Sequence, residues 1–182
     1  MTAYLPDGDV RDAIAVIRIH PAAGRIKCVI MSVEGLVLFD GEYDGGVSIR
    51  RAVSPFDEEK FARAMFADIR LAFISPEAEN VQVGTLSGGT PICRYARSDG
   101  KGFVEVRLSE ADRLEIRRYT GGKKLRKTVD ICYAPACSFS GTGDAGEIPA
   151  EINIFHHGLF DYRLELKLLE AKELPRPEKQ AG

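Results

Sequence analysis

The chain predicts a mainly β, α+β fold: a curved antiparallel sheet forming an incomplete barrel, plugged by one amphipathic helix over residues 54–73. Most of the sequence alternates apolar and polar residues, the pattern of strands with one wet face. Glycine-rich turns interrupt that alternation at short intervals, as at Asp44-Gly45-Gly46, Asp99-Gly100 and Gly121-Gly122. A single stretch, "SPFDEEKFARAMFADIRLAF", keeps a helical period instead.

The first strands run from Ala13 to Arg51 as "AIAVIRIH", "RIKCVIMSV", "LVLFDGEY" and "VSIRR", separated by Pro21 to Gly24, by Gly35 and by the Asp44 turn. This reads as an antiparallel meander. In the helix, Ser54 is expected to cap the N-terminus, with Pro55 at the first helical position and Asp57 three residues after the cap. Phe61, Met65, Ile69 and Phe73 recur every four residues, and Ala62, Phe66 and Ala72 widen the apolar stripe, with Lys60, Arg63 and Arg70 on the wet side. After Pro76 a polar, Gly-rich connection carries a short strand at Val81 to Val83. A second strand series follows, with turns at Asp99-Gly100, Glu110-Ala111 and Gly121-Gly122. It ends in a hairpin around His157-Gly158, after which Phe160, Tyr162, Leu164, Leu166 and Leu168 share one side. A sheet of about nine strands is too wide to stay flat, so it is expected to curl, with the helix over its open mouth. Residues 1–170 form one domain, and residues 171–182 read as a disordered tail.

Composition narrows the function. At 182 residues, 45% hydrophobic and 29% charged, the chain can bury a core without cross-links. Its net charge of −2 gives no bulk attraction to nucleic acid, which is not expected as a partner. No apolar run reaches the length of a transmembrane helix, and the opening residues lack the pattern of a signal peptide. Taken literally this means cytoplasm, although a chain trimmed of its export signal reads the same. Cys28, Cys93, Cys132 and Cys137 show no zinc spacing, so neither a metal nor a cofactor is expected. Cys28 fits a buried strand position, and Cys132 and Cys137 flank a turn that leaves their redox state open.

Motifs for chemistry are weak. Gly141, Gly143 and Gly146 match G-x-G-x-x-G, but a proline and a strand pattern follow where a phosphate site needs a helix. His156 and His157 are neighbours and so face opposite sides of a strand, and His20 sits at a strand end before Pro21. No nucleophile motif accompanies them, so the chain is read as no enzyme; a lipid hydrolase using one of these histidines is the third-ranked alternative. Arg113, Arg117, Arg118, Lys123, Lys124, Arg126 and Lys127 concentrate charge on one hairpin. A solvated, edge-protecting face accounts for them, and contact with headgroups or an acidic partner through Arg117, Lys123, Lys124 and Arg126 is the functional alternative.

The order of elements, together with "VIMSVEGLVLFDGEYDGG", the helix and the closing "YRLELKLLE", resembles the LolA/LolB lipoprotein-carrier superfamily, in particular LolB-like outer-membrane lipoproteins, over roughly Ala13 to Leu169. The resemblance implies a half-barrel whose apolar cavity holds the acyl chains of a lipoprotein or another lipid, in lipoprotein transport or outer-membrane localisation. It implies a periplasmic location, an outer-membrane anchor in a precursor, a periplasmic carrier as delivery partner and peripheral membrane contact. The signal peptide and lipidated cysteine of that family do not appear in this chain. In the matching transfer turn Val33 and Glu34 stand where the family carries an exposed leucine. The expected cavity lining is Phe61, Met65, Ile69 and Phe73 from the helix, with Val104, Val106, Leu114, Ile116, Leu164 and Leu166 from the sheet. The alternative is a solid-cored envelope interaction module that docks through the basic hairpin at 113–127.

Overall fold

The computed structural model describes residues 1–4, 9–54, 56–74, 81–97, 100–110, 113–133, 149–157 and 162–172. Twelve strands form one open, curved antiparallel sheet. β1 (Thr2–Tyr4), β2 (Val10–His20), β3 (Arg25–Ser32), β4 (Val37–Tyr43) and β5 (Val47–Ala52) precede the helix α1 (Glu59–Phe73). β6 (Val81–Thr85), β7 (Pro91–Ala96), β8 (Gly102–Glu110), β9 (Arg113–Thr120), β10 (Leu125–Tyr133), β11 (Pro149–His156) and β12 (Tyr162–Lys167) follow it. Their spatial order is β5-β4-β3-β2-β1-β12-β11-β10-β9-β8-β7-β6, so the two strands that flank α1 in the chain are the two ends of the sheet.

The meander and its turns at Pro21 to Gly24, Gly35 and Asp44-Gly45-Gly46, and the turn at Gly121-Gly122, stand where alternation and glycine placed them, while Pro76, Asp99, Ala111, Gly158 and Phe160 lie outside the described residues. Gly45, at φ +73°, takes the left-handed conformation inside the Asp44 turn. At Gly102, φ is +146° and a Cβ would collide with the carbonyl oxygen of Tyr119, so only glycine fits the start of β8. The strand β1 escaped the sequence reading, yet it joins the halves: Ala3 pairs with Arg11 of β2 on one side and with Leu164 of β12 on the other. Three residues are too few to show a period, so only the tertiary pairing reveals this strand. The described residues hold twelve strands where about nine were expected, β1 among the additional ones.

The helix starts later than expected. Glu58 is its N-cap with no side-chain capping bond, and the Phe61 and Ala62 amides donate to the Glu58 carbonyl oxygen. Ser54 therefore does not cap it. The Phe56 amide instead donates to the Val53 carbonyl oxygen at 2.7 Å, and the Phe56 ring packs edge-on against Phe61, 5.1 Å between centroids. That aromatic contact fixes the entry of the chain into the helix, as a hydrophobic staple does. Pro55 lies outside the described residues.

The buried apolar residues of α1 fall within the expected stripe, with one exposed exception at its edge. Ala62, Phe66 and Ile69 are buried while Phe61 is 40% exposed. A strict four-residue repeat drifts around a helix that closes a turn every ~3.6 residues, so the 61-65-69-73 series leaves the packed face at Phe61 while Met65, Ile69 and Phe73 remain against the core. The buried apolar line is 62-66-69, and it meets Ala13, Ile26, Cys28, Ile30 and Phe39 in one core cluster. Phe66 packs edge-on to Phe39 at 6.0 Å and against Tyr43 at 6.2 Å. Leu71, Ala72 and Phe73 at the other end of α1 reach a second cluster of Val104, Ile116, Val129, Ile131, Ile152 and Ile154. Phe73 belongs to both. No helix is long and apolar enough to cross a membrane among the described residues. The glycine series 141–146, Cys137 and the tail beyond Lys172 lie outside the described residues.

Candidate functional site

The face of the sheet that carries α1, here the inner face, is built from paired rows, because residues opposite each other in antiparallel strands point the same way. One row crosses eight strands without a polar side chain: Val83, Cys93, Val106, Ile116, Val129, Ile154, Leu164 and Ala3. A flanking row, Leu108, Leu114, Ile131, Ile152 and Leu166, is apolar as well. Cover is uneven along these rows. Val129, Ile131 and Ile152 are buried, but at the β6–β8 end Val81 and Leu108 are each 48% exposed and Val83 is 78% exposed. The inner face is therefore packed in the middle and bare at one end.

The row on the other flank changes character. Val81, Tyr95 and Val104 lead into Arg118, Lys127, His156 and Tyr162. Across from them α1 brings in Asp68, a carboxylate 4% exposed. Lys127 Nζ donates to Asp68 Oδ1, the Tyr162 hydroxyl donates to Asp68 Oδ2 at 2.8 Å, and Lys127 Nζ lies 3.2 Å from the Tyr162 oxygen. His156 stacks on Tyr162 with ring centroids 5.0 Å apart. Burial pushes the Lys127 ammonium below its ordinary range, and Asp68 works against that shift. Burial first, and then the Asp68 charge, raise the Tyr162 phenol. This is one ionic joint between helix and sheet, with its charges out of water.

Sequence reasoning missed the joint, though a signal existed. Lys127 shares its strand parity with Val129 and Ile131, which commits it to the inner face. Asp68 is the only acid in α1 beyond Glu59 in its first turn, so it is the carboxylate available to an inward lysine. Counting Lys127 with the basic hairpin obscured this.

The structure also disperses that hairpin. Arg117 lies on the outer face in a chain of ion pairs, its Nη2 2.8 Å from Glu115 Oε1, while Arg107 bridges to Glu105 at 2.6 Å and Arg94 meets the same Glu105 at 2.6 Å. Glu105 is 4% exposed beneath these guanidiniums. Burial raises its carboxyl, but bonds from Arg107 and Arg94 outweigh burial and hold it below the usual carboxylate range. Lys123, Lys124 and Arg126 alone among the headgroup candidates remain exposed, at the β9–β10 turn. Cations adjacent in the chain thus divide between an inner joint, an outer ladder and a turn, because adjacent strand residues face opposite ways.

The other candidates sort by the same rows. Val104, Ile116 and Ile69 are buried; Val106, Leu114, Leu164 and Leu166 are half-buried against the second cluster; Met65 and Phe73 are half-buried against the first. Val33 is 62% exposed in the turn between β3 and β4, beside Glu34 and a 55% exposed Leu36. The Ser32 hydroxyl accepts from the Leu36 amide at 3.3 Å, which shapes that turn. His156 faces inward on β11, while His157 reaches Thr128 Oγ1 at 3.1 Å across the sheet. Cys28 is buried, its thiol pushed up to about 12 by burial and then by the Asp40 charge. Among the described residues no three His, Cys, Asp or Glu side chains converge to hold a metal.

These features define a class: an open antiparallel sheet with an apolar inner face partly covered by one helix. No family model, curated protein or solved structure matches the chain.

Proposed function

We propose that this protein binds the acyl chains of a lipoprotein or another long apolar ligand, as a half-barrel container plugged by α1, and acts by sheltering them and not by chemistry. The observation that carries the reading is the unbroken apolar inner row whose β6–β8 end, at Val83, Val81 and Leu108, is left in water. Exposed apolar strips that continue a core are where a ligand replaces missing protein. An acyl chain laid there gains about 0.8 kcal/mol per buried methylene, so affinity follows chain length more than headgroup. The site centres on Leu108, Val106, Val83 and Cys93. Ile69 serves the core: it is 7% exposed and packed. A role in lipoprotein or lipid transport within the cell envelope, with the exposed Val33–Leu36 turn touching a membrane, belongs to the same proposal.

The test is titration of an environment-sensitive apolar dye, displaced by a diacylated or triacylated lipopeptide and by the same peptide without acyl chains. Saturable binding reversed only by the acylated peptide, and weakened at least tenfold by Leu108→Glu, is the expected result. Dye binding that is absent, or indifferent to Leu108→Glu, overturns the reading. In that case the exposed Lys123, Lys124 and Arg126 are the place to look for a docking partner.

A further inference from the structure

The two ends of the sheet are protected unequally. β5, at one end, carries Arg50 and Arg51, and α1 packs beside it. Charged side chains and a covering helix are the usual means by which an edge strand avoids pairing with another chain. β6, at the other end, reads Val-Gln-Val-Gly-Thr, without charge or proline, and all five residues are exposed. Among the described residues its only hydrogen-bonded neighbour is β7. Among the described residues, nothing pairs with its outer row of backbone amides and carbonyls, which leaves that row as a template.

We infer that β6 pairs antiparallel with β6 of a second copy of this chain, across a twofold axis at Val83. The sequence suits its own reversal. Centred on Val83, the pairing sets Val81 against the partner's Thr85 and Gln82 against the partner's Gly84, with no charge buried and no like charges opposed. Each Val83 side chain, 78% exposed in the monomer, gains its twin across the axis on the inner face. The apolar row that begins at Val83 continues directly into the same row of the other copy. An isologous contact of this kind closes at two copies, because each uses the same β6 edge. A strand of five residues buries far less than the roughly 1,200–2,000 Å² of a stable interface, so the dimer is weak and forms with rising concentration. This inference does not depend on lipid binding.

Sedimentation velocity on the full chain, from low to high micromolar concentration, tests it. The mass is expected to rise from 20.0 kDa toward twice that value. Val83→Lys sets two ammonium groups against each other at the axis and should hold the protein at the monomer mass throughout; since Val83 is exposed, its circular dichroism should match wild type. Leu108→Lys, on the same face but two strands from the edge, should associate as wild type does. A wild-type chain that stays monomeric over the whole series overturns the inference, and so does a folded Val83→Lys variant that dimerises normally.

Discussion

The two halves of the sheet meet α1 very differently. In the β1–β5 half the helix delivers Ala62, Phe66 and Ile69 onto Ile26, Cys28, Ile30 and Phe39, and Phe39 is fully buried. In the β6–β12 half the apolar contacts of the helix come from Leu71, Ala72 and Phe73, joined by the Asp68 carboxylate on Lys127 and Tyr162, and the sheet runs past it to strands whose inner valines stand in water. One half is a closed core and the other is a core with part of its cover missing. The difference teaches that burial follows the placement of the helix and not the hydrophobicity of the strands, since Val83 and Val129 lie in the same paired row.

The strongest way to break that comparison is at the closed half. Phe66→Ala removes the ring that fills the space between Phe39 and Tyr43, and should cost about 3–5 kcal/mol in urea unfolding. A loss below ~1 kcal/mol would show that α1 does not hold this half together. At the joint between α1 and the β6–β12 half, Asp68→Ala leaves Lys127 buried without its carboxylate and should also cost about 3–5 kcal/mol. The double variant Asp68→Leu with Lys127→Met should recover most of it, because the desolvated charges go together. If the double variant is as weak as the single, the pair is not the joint described here.

The outer ladder gives a smaller, pH-dependent effect. Glu105 has a folded carboxyl below its ordinary value of 4.5, so its contribution is complete above that value and is lost as pH falls through the lowered one. Glu105→Gln should cost about 1–3 kcal/mol at neutral pH and flatten the stability profile in the acid range. Equal slopes for both proteins in acid unfolding would remove Glu105 from that account. Smallest of all, Leu108→Ser at the bare end should change stability by less than ~0.5 kcal/mol. A loss of several kcal/mol there would mean the open end is packed, and would count against a ligand site.

Much of this molecule was legible in its residues. Alternation gave the meander and the C-terminal hairpins, and the Asp44-Gly45-Gly46 turn sets where β4 reverses into β5. Amphipathicity located α1 and its apolar stripe, within which Ala62, Phe66 and Ile69 are buried while Phe61 is 40% exposed. The inward parity of Lys127 was present in "LRKTVDICY", and only its companion Asp68, fifty-nine positions away in the chain, makes sense of it.

By itself, then, the sequence determined strand and helix identity, since backbone preferences and side-chain periods act over a few residues. It also determined the apolar character of the inner face, because strand parity is local. Tertiary structure decided what local forces cannot encode: that the three residues of β1 join β2 to β12, that Asp68 meets Lys127 and Tyr162, and that α1 covers one half while β6 is left open. Those outcomes depend on contacts between distant parts of the chain, whose worth is set by burial and charge pairing only once the sheet has assembled.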